Sequence, residues 1–143
     1  MSNFVERLKE YMEDRQIGQM ELQNKCGVSH ASTSLFLLGK AMPTYTSLVK
    51  LLTFFDCSAD YLLGLDEFPT EEKLYTPLPF KDQFKKILKE KKVSQYKLQN
   101  DLKISRSVTY KWISGKAEPI AHTLITLAKY FDCSVDYLIG RRR

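Results

Sequence analysis

The residues of this chain that can do chemistry are mainly cations, and the excess of them lies in its second half. Residues 80–143 carry 15 Lys and Arg against 6 Asp and Glu, a balance of +9, whereas residues 1–64 carry 6 against 7 and residues 65–79 carry 1 against 4, balances of −1 and −3. A small segment this basic fits a polyanionic partner, nucleic acid first and an anionic membrane surface second. The plainer alternative is a solvated lysine surface that serves only solubility. Catalysis finds no support: the chain has no Gly-rich phosphate loop, no plausible Cys/His or Ser/His pair within either half, and no clustered carboxylates. Cys26, Cys57 and Cys133 have neither paired nor metal-ligand spacing. They read as small buried apolar residues without a metal or redox role, and no cofactor or small-molecule ligand is evident in the sequence. No stretch approaches the roughly 20 apolar residues of a membrane span, and Met1-Ser2-Asn3-Phe4 followed by charged residues is not a signal peptide. A cytoplasmic protein without a membrane partner is expected.

The elements that must position those cations are announced by a repeat. Phe55-Asp56-Cys57-Ser58-Ala59-Asp60-Tyr61-Leu62-Leu63-Gly64 returns 76 residues later as Phe131-Asp132-Cys133-Ser134-Val135-Asp136-Tyr137-Leu138-Ile139-Gly140, and residues 4–64 pair with 80–140 without a gap at 22 identities in 61. Two copies of one fold in tandem are expected. Apolar residues recur at helical spacing and nowhere alternate for a strand's length, so each copy reads as an all-α bundle. In the first, Asn3 with Glu6 predicts a capping box opening a helix to about Arg15, with Phe4, Leu8, Tyr11 and Met12 inward. A short helix follows from about Gln19 to Lys25. Ser29 caps a third helix that stops at Gly39, Pro43-Thr44 begins a fourth through about Phe55, and Ser58 caps a last short helix closed by Gly64. In the second copy the same plan is marked by Ser94, Ser105, Gly115, Pro119, Ser134 and Gly140. Residues 65–79 contain Pro69, Pro77 and Pro79 and an acidic cluster, which reads as a linker. Phe68, Leu74, Tyr75 and Leu78 within it predict that it lies partly against a domain.

A short helix, a tight turn and a second helix within about 20 residues, after a longer helix, is the helix-turn-helix plan. The segment Val93-Ser94-Gln95-Tyr96-Lys97-Leu98-Gln99-Asn100-Asp101-Leu102-Lys103-Ile104-Ser105-Arg106-Ser107-Val108-Thr109-Tyr110-Lys111-Trp112-Ile113-Ser114-Gly115-Lys116 resembles the phage-repressor/Cro-type (XRE-like) helix-turn-helix transcriptional regulators, and the repeated ending resembles the final helix of that family. The resemblance implies two tandem five-helix, lambda-repressor-like domains, 1–65 and 80–143, joined by the acidic linker 66–79. It implies that Arg106, Ser107, Tyr110 and Lys111 on the recognition helix reach base edges of double-stranded DNA in the major groove, and that Gln95, Ser114 and Lys116 contact the backbone. An Arg in the first helical turn can fork onto guanine O6 and N7, while Gln and Lys hold the register on phosphates. Trp112 falls in a packing slot. Thr109 departs from the pattern, which favours a branched apolar residue, and predicts slightly looser packing there.

The first copy keeps the fold signals and loses the base-reading chemistry: His30, Ala31 and Leu35 stand in place of Arg106, Ser107 and Lys111, and only the flanking Gln19 and Lys40 still match Gln95 and Lys116. Ala31, Leu35 and Leu38 lie at i, i+4 and i+7, an outward apolar stripe. A protein contact needs such a stripe and a groove reader does not. The stripe is expected to be covered, by an oligomer or other protein partner or by the linker through Phe68 or Leu74. The expected function is a transcriptional regulator of bacterial or phage type, a repressor acting as a homodimer, with the second domain reading DNA and the first serving dimerisation or partner binding. A protein-interaction module such as an antirepressor-like decoy is the alternative from another class, and the +9 half argues against it. An intrachain pseudo-dimer is within reach, because the linker can span about 50 Å and half-sites lie about 34 Å apart, but only one copy carries a base-reading face.

Overall fold

A computed structural model describes residues 2–142, and these form ten α-helices with no strand among them. The chain divides into two compact units, one made of the residues up to Lys73 with Ile120–His122, the other of Leu74–Pro119 with the residues from Thr123 onward. The first half contains α1 (Ser2–Asp14), α2 (Gln19–Cys26), α3 (His30–Leu37), α4 (Tyr45–Phe55) and α5 (Ala59–Leu62). The second contains α6 (Phe80–Lys91), α7 (Gln95–Leu102), α8 (Arg106–Ser114), α9 (Ala121–Phe131) and α10 (Val135–Leu138). At the 76-residue offset, α2, α4 and α5 coincide end to end with α7, α9 and α10, and α3 and α8 begin in the same position.

Matching serine caps explain why α3 and α8, and α5 and α10, start at the same positions. Ser29, Ser58, Ser94, Ser105 and Ser134 each accept a hydrogen bond from the backbone N–H three residues on, at Ser32, Tyr61, Lys97, Val108 and Tyr137. Thr44 does the same for α4 through Ser47. Each such cap contributes about 1 kcal/mol to its helix. The capping box expected at Asn3 does not form, because α1 already includes Ser2 and Asn3 lies inside the helix. Asn3 instead packs on Gly64, where an added Cβ would meet the Asn3 Cβ at 2.5 Å, and the φ of +84° at Gly64 independently favours glycine. Before α2, Gly18 offers no side-chain cap at all.

In the first half, Phe4, Leu8 and Met12 of α1 are buried, as are Leu22, Phe36, Leu48, Leu52 and Phe55, and Phe4 meets Phe36 edge-on at a ring-centroid distance of 5.8 Å. In the second, Trp112 is buried, as the sequence predicts, with Phe80 and Phe84 meeting its ring edge-on at centroid distances of 6.1 and 5.5 Å. Cys57 is buried as expected, but Cys26 and Cys133 are only half-buried, and all three are free thiols.

Both ends of the segment expected to be a linker are tied down. Arg7 donates to the backbone carbonyls of Tyr61 and Asp66, the latter at 2.6 Å, with its guanidinium 4.0 Å from the Tyr61 ring centroid. Gln83, in the same position of the second half, donates to the Tyr137 carbonyl at 3.3 Å. At the other end the Tyr75 N–H donates to the Arg141 carbonyl at 2.8 Å and the Leu78 N–H to the Ile139 carbonyl at 3.0 Å. Phe68, between them, is 73% exposed.

Candidate nucleic-acid interface

Local rules dictate the α7–turn–α8 unit. Ser94 caps α7, which buries Leu98 and ends on Lys103 in the left-handed region at φ 56°, the position filled by Gly27 in the first half. The chain reverses there, with the Ile104 N–H donating to the Gln99 carbonyl at 3.1 Å, and Ser105 caps α8 at once. One side of α8 is spent on packing, through buried Thr109 and Trp112. Arg106, Ser107, Tyr110, Lys111 and Ser114 are left exposed. Gly115 ends the helix at φ 80°, and Lys116 then lies with its ammonium 5.4 Å from the Tyr110 ring centroid, which keeps that charge beside the exposed face. Gln95 opens α7 and is exposed. Ser114 Oγ donates back to the Lys111 carbonyl at 3.3 Å, so this hydroxyl is partly engaged with its own helix.

Two polar braces hold the motif. Gln99 Nε2 donates to Thr109 Oγ1 at 2.8 Å, and that hydroxyl donates to the Arg106 carbonyl at 3.1 Å. The looser packing expected at Thr109 is therefore not found: the side chain is fully buried and its hydroxyl is satisfied in both directions. In the second brace, Tyr130 of α9 donates to Asp101 of α7 at 2.6 Å, and Lys97 pairs with the same carboxylate at 3.0 Å. The Tyr130 hydrogen bond, followed by that from Lys97, holds the Asp101 carboxyl below its ordinary range, and the same bond to Asp101 pushes the Tyr130 phenol up to about 12.

Sequence reasoning missed a basic groove beside this motif. Lys85, Lys89 and Lys92 line an open cleft of about 550 Å³ together with Ser94, Gln95 and Ile113. The signal was available, since three lysines at i, i+4 and i+7 share one helical face. Tyr96, 73% exposed beside Gln95, was also passed over.

The matching surface of the first half has different chemistry. Ala31, Leu35 and Leu38 are exposed, the two leucines by 44% and 66%, so the linker does not cover the stripe. Gln19 is occupied, its Oε1 accepting from Ser34 Oγ at 2.7 Å, and the His30 N–H donates to Gln23 Oε1 at 2.7 Å.

Residues 83–141 match a family described as "Helix-turn-helix domain", so the second half carries a helix-turn-helix domain of that family. Among relatives, the chain is similar to an "Uncharacterized HTH-type transcriptional regulator YqaE" of Bacillus subtilis (strain 168), 29% identical over 85 residues that cover 59% of this chain and 66% of the relative. No solved structure matches the chain. Among the described residues no group of three or more His, Cys, Asp or Glu could hold a metal ion, and no helix is long and apolar enough to cross a membrane.

Proposed function

We propose that the chain is a sequence-specific DNA-binding transcriptional regulator of bacterial or phage type, acting as a repressor, in which α8 enters the major groove. The observation that carries this reading is the face of α8, where Arg106, Ser107, Tyr110 and Lys111 stand exposed on a helix clamped from behind by Trp112 and Thr109. Arg106 is assigned to a guanine edge, Ser107, Tyr110 and Lys111 to neighbouring bases, and Gln95, Ser114 and Lys116 to the phosphate backbone. Lys85, Lys89 and Lys92 extend the phosphate track. The helix-turn-helix family match at 83–141 and the printed name of the Bacillus subtilis relative support the class of function.

The first half is assigned as a second, degenerate copy of the domain that reads no bases and supplies dimerisation through Ala31, Leu35 and Leu38. Burying a leucine contributes roughly 1.5–3 kcal/mol, so two on each chain are a large share of the about 8 kcal/mol of a micromolar dimer. A homodimer would place two copies of α8 on a palindromic site about 34 Å apart. Selection of duplexes from a genomic fragment library with the full chain tests the reading: enrichment of one palindromic sequence supports it, and uniform weak binding to every fragment contradicts it.

A further inference from the structure

The cleft bounded by α6, the start of α7 and the end of α8 has a counterpart in the first half, position for position. Lys9, Met12, Glu13, Gln16, Ile17 and Leu37 line it there, at about 490 Å³, where the second half has Lys85, Leu88, Lys89, Lys92, Val93 and Ile113. The apolar walls are kept, with Met12 for Leu88, Ile17 for Val93 and Leu37 for Ile113. The rim is not. Glu13 replaces Lys89 and Gln16 replaces Lys92, so three cations become one cation and one anion. Lys9 and Glu13 are both exposed and, among the described ion pairs, are not paired with each other.

Leu37 of the cleft wall is followed directly in the chain by Leu38 of the apolar stripe. Ser34 of α3 bonds Gln19 in the cleft wall, and Leu38 lies one turn beyond Ser34 on the same side of the helix. Met20, 56% exposed, follows Gln19 on α2. A polyanion is poorly served here, because Glu13 stands where the other half presents a lysine.

We propose that the first-half cleft and its apolar rim form a self-complementary contact whose occupant is a second copy of this chain, with Lys9 of each copy facing Glu13 of the other. Charge complementarity identifies the occupant. In a two-fold contact every charge meets a member of its own set, so a Lys/Glu pair satisfies itself across the axis. The second-half cleft would oppose three lysines to three lysines and cannot associate in this way. The inference rests on the dimer role given above to Leu35 and Leu38, and it adds the register of the two chains.

The test is the dimer dissociation constant of the full chain by sedimentation velocity, with Lys9→Glu, Glu13→Lys, the double reversal and Leu35→Glu, and with circular dichroism as a check on folding. Each single reversal should weaken the dimer by about tenfold, since it turns two attractions into two repulsions, and the double reversal should restore it to within about threefold. Both charges are exposed, so the helical signal and melting temperature should not move. Loss of the dimer with Leu35→Glu but no effect of the single reversals overturns the Lys9–Glu13 contact and leaves the stripe reading standing. Weakening by the single reversals without restoration by the double also overturns it. A dimer untouched by Leu35→Glu, or a wild-type chain that stays monomeric at about 100 µM, overturns the stripe reading and this inference with it.

Discussion

Gln99 and Thr109 are joined side chain to side chain at 2.8 Å, and this bond spans the turn between the two helices of the motif. An apolar residue at 109 would leave the Gln99 amide without its partner. Thr109→Val is therefore expected to destabilise the second half by about 1 kcal/mol, and Gln99→Leu combined with Thr109→Val by less, because removing both partners leaves no unpaired group. Urea unfolding followed by the fluorescence of Trp112, the chain's single tryptophan, reads this half selectively. A neutral Thr109→Val would show that the bond contributes nothing.

The Tyr130–Asp101 brace makes a pH prediction with two edges. Asp101 is depressed in the folded state, so its contribution is complete above the ordinary carboxylate range of about 4 and is lost as pH falls through the folded value. Tyr130 is raised to about 12, so its contribution is complete below about 10 and is lost as pH climbs toward 12. Stability relative to Tyr130→Phe should be a plateau between those edges and shrink beyond both. A difference that is flat from acid to alkali contradicts the assignment.

Lys103 pays for a left-handed backbone that glycine adopts freely, as Gly27 does in the first half. The penalty for a residue with a Cβ there is about 1–2 kcal/mol, partly offset by the entropy glycine loses on folding. Lys103→Gly should stabilise the second half by about 1 kcal/mol in the Trp112-monitored transition. Gly27→Ala, at φ 85°, should destabilise the first half by a similar amount when followed by circular dichroism.

The lysine groove predicts a change in salt dependence. If Lys85, Lys89 and Lys92 lie along the DNA backbone, substituting any one by alanine should lower the slope of log K against log salt by about 0.9 and weaken all sequences alike. Lys116→Ala should behave in the same way. An unchanged slope for all three groove lysines would remove them from the interface.

Much of the fold was legible because its signals are local. Serine caps at 29, 58, 94, 105 and 134 sit where the backbone needs an acceptor, and the repeat located the helices of one half from those of the other. Asn3 misled because a cap motif near a chain start looks the same whether the helix begins at that residue or before it. Thr109 misled because its partner is ten residues away on another helix, and no local pattern announces that Gln99 will reach it. The exposed face of α8 was read from the helix-turn-helix pattern that its segment resembles, and the uncharged stripe of α3 from helical spacing. The clefts were not, since each is built from three helices, although the lysine spacing on α6 pointed toward one of them.

The proposed reading of DNA by the second half is tested most directly by paired substitutions in the full chain. On a duplex selected by the wild-type chain, binding is measured by fluorescence anisotropy for Arg106→Ala and for His30→Ala, which occupy the same position of the two halves. Arg106→Ala is expected to lose about 1–3 kcal/mol, roughly 5- to 150-fold in affinity, with the fold intact, and His30→Ala to stay within about twofold of wild type. Unchanged affinity for Arg106→Ala together with lost binding for His30→Ala would contradict the account, because the reading face would then lie on α3.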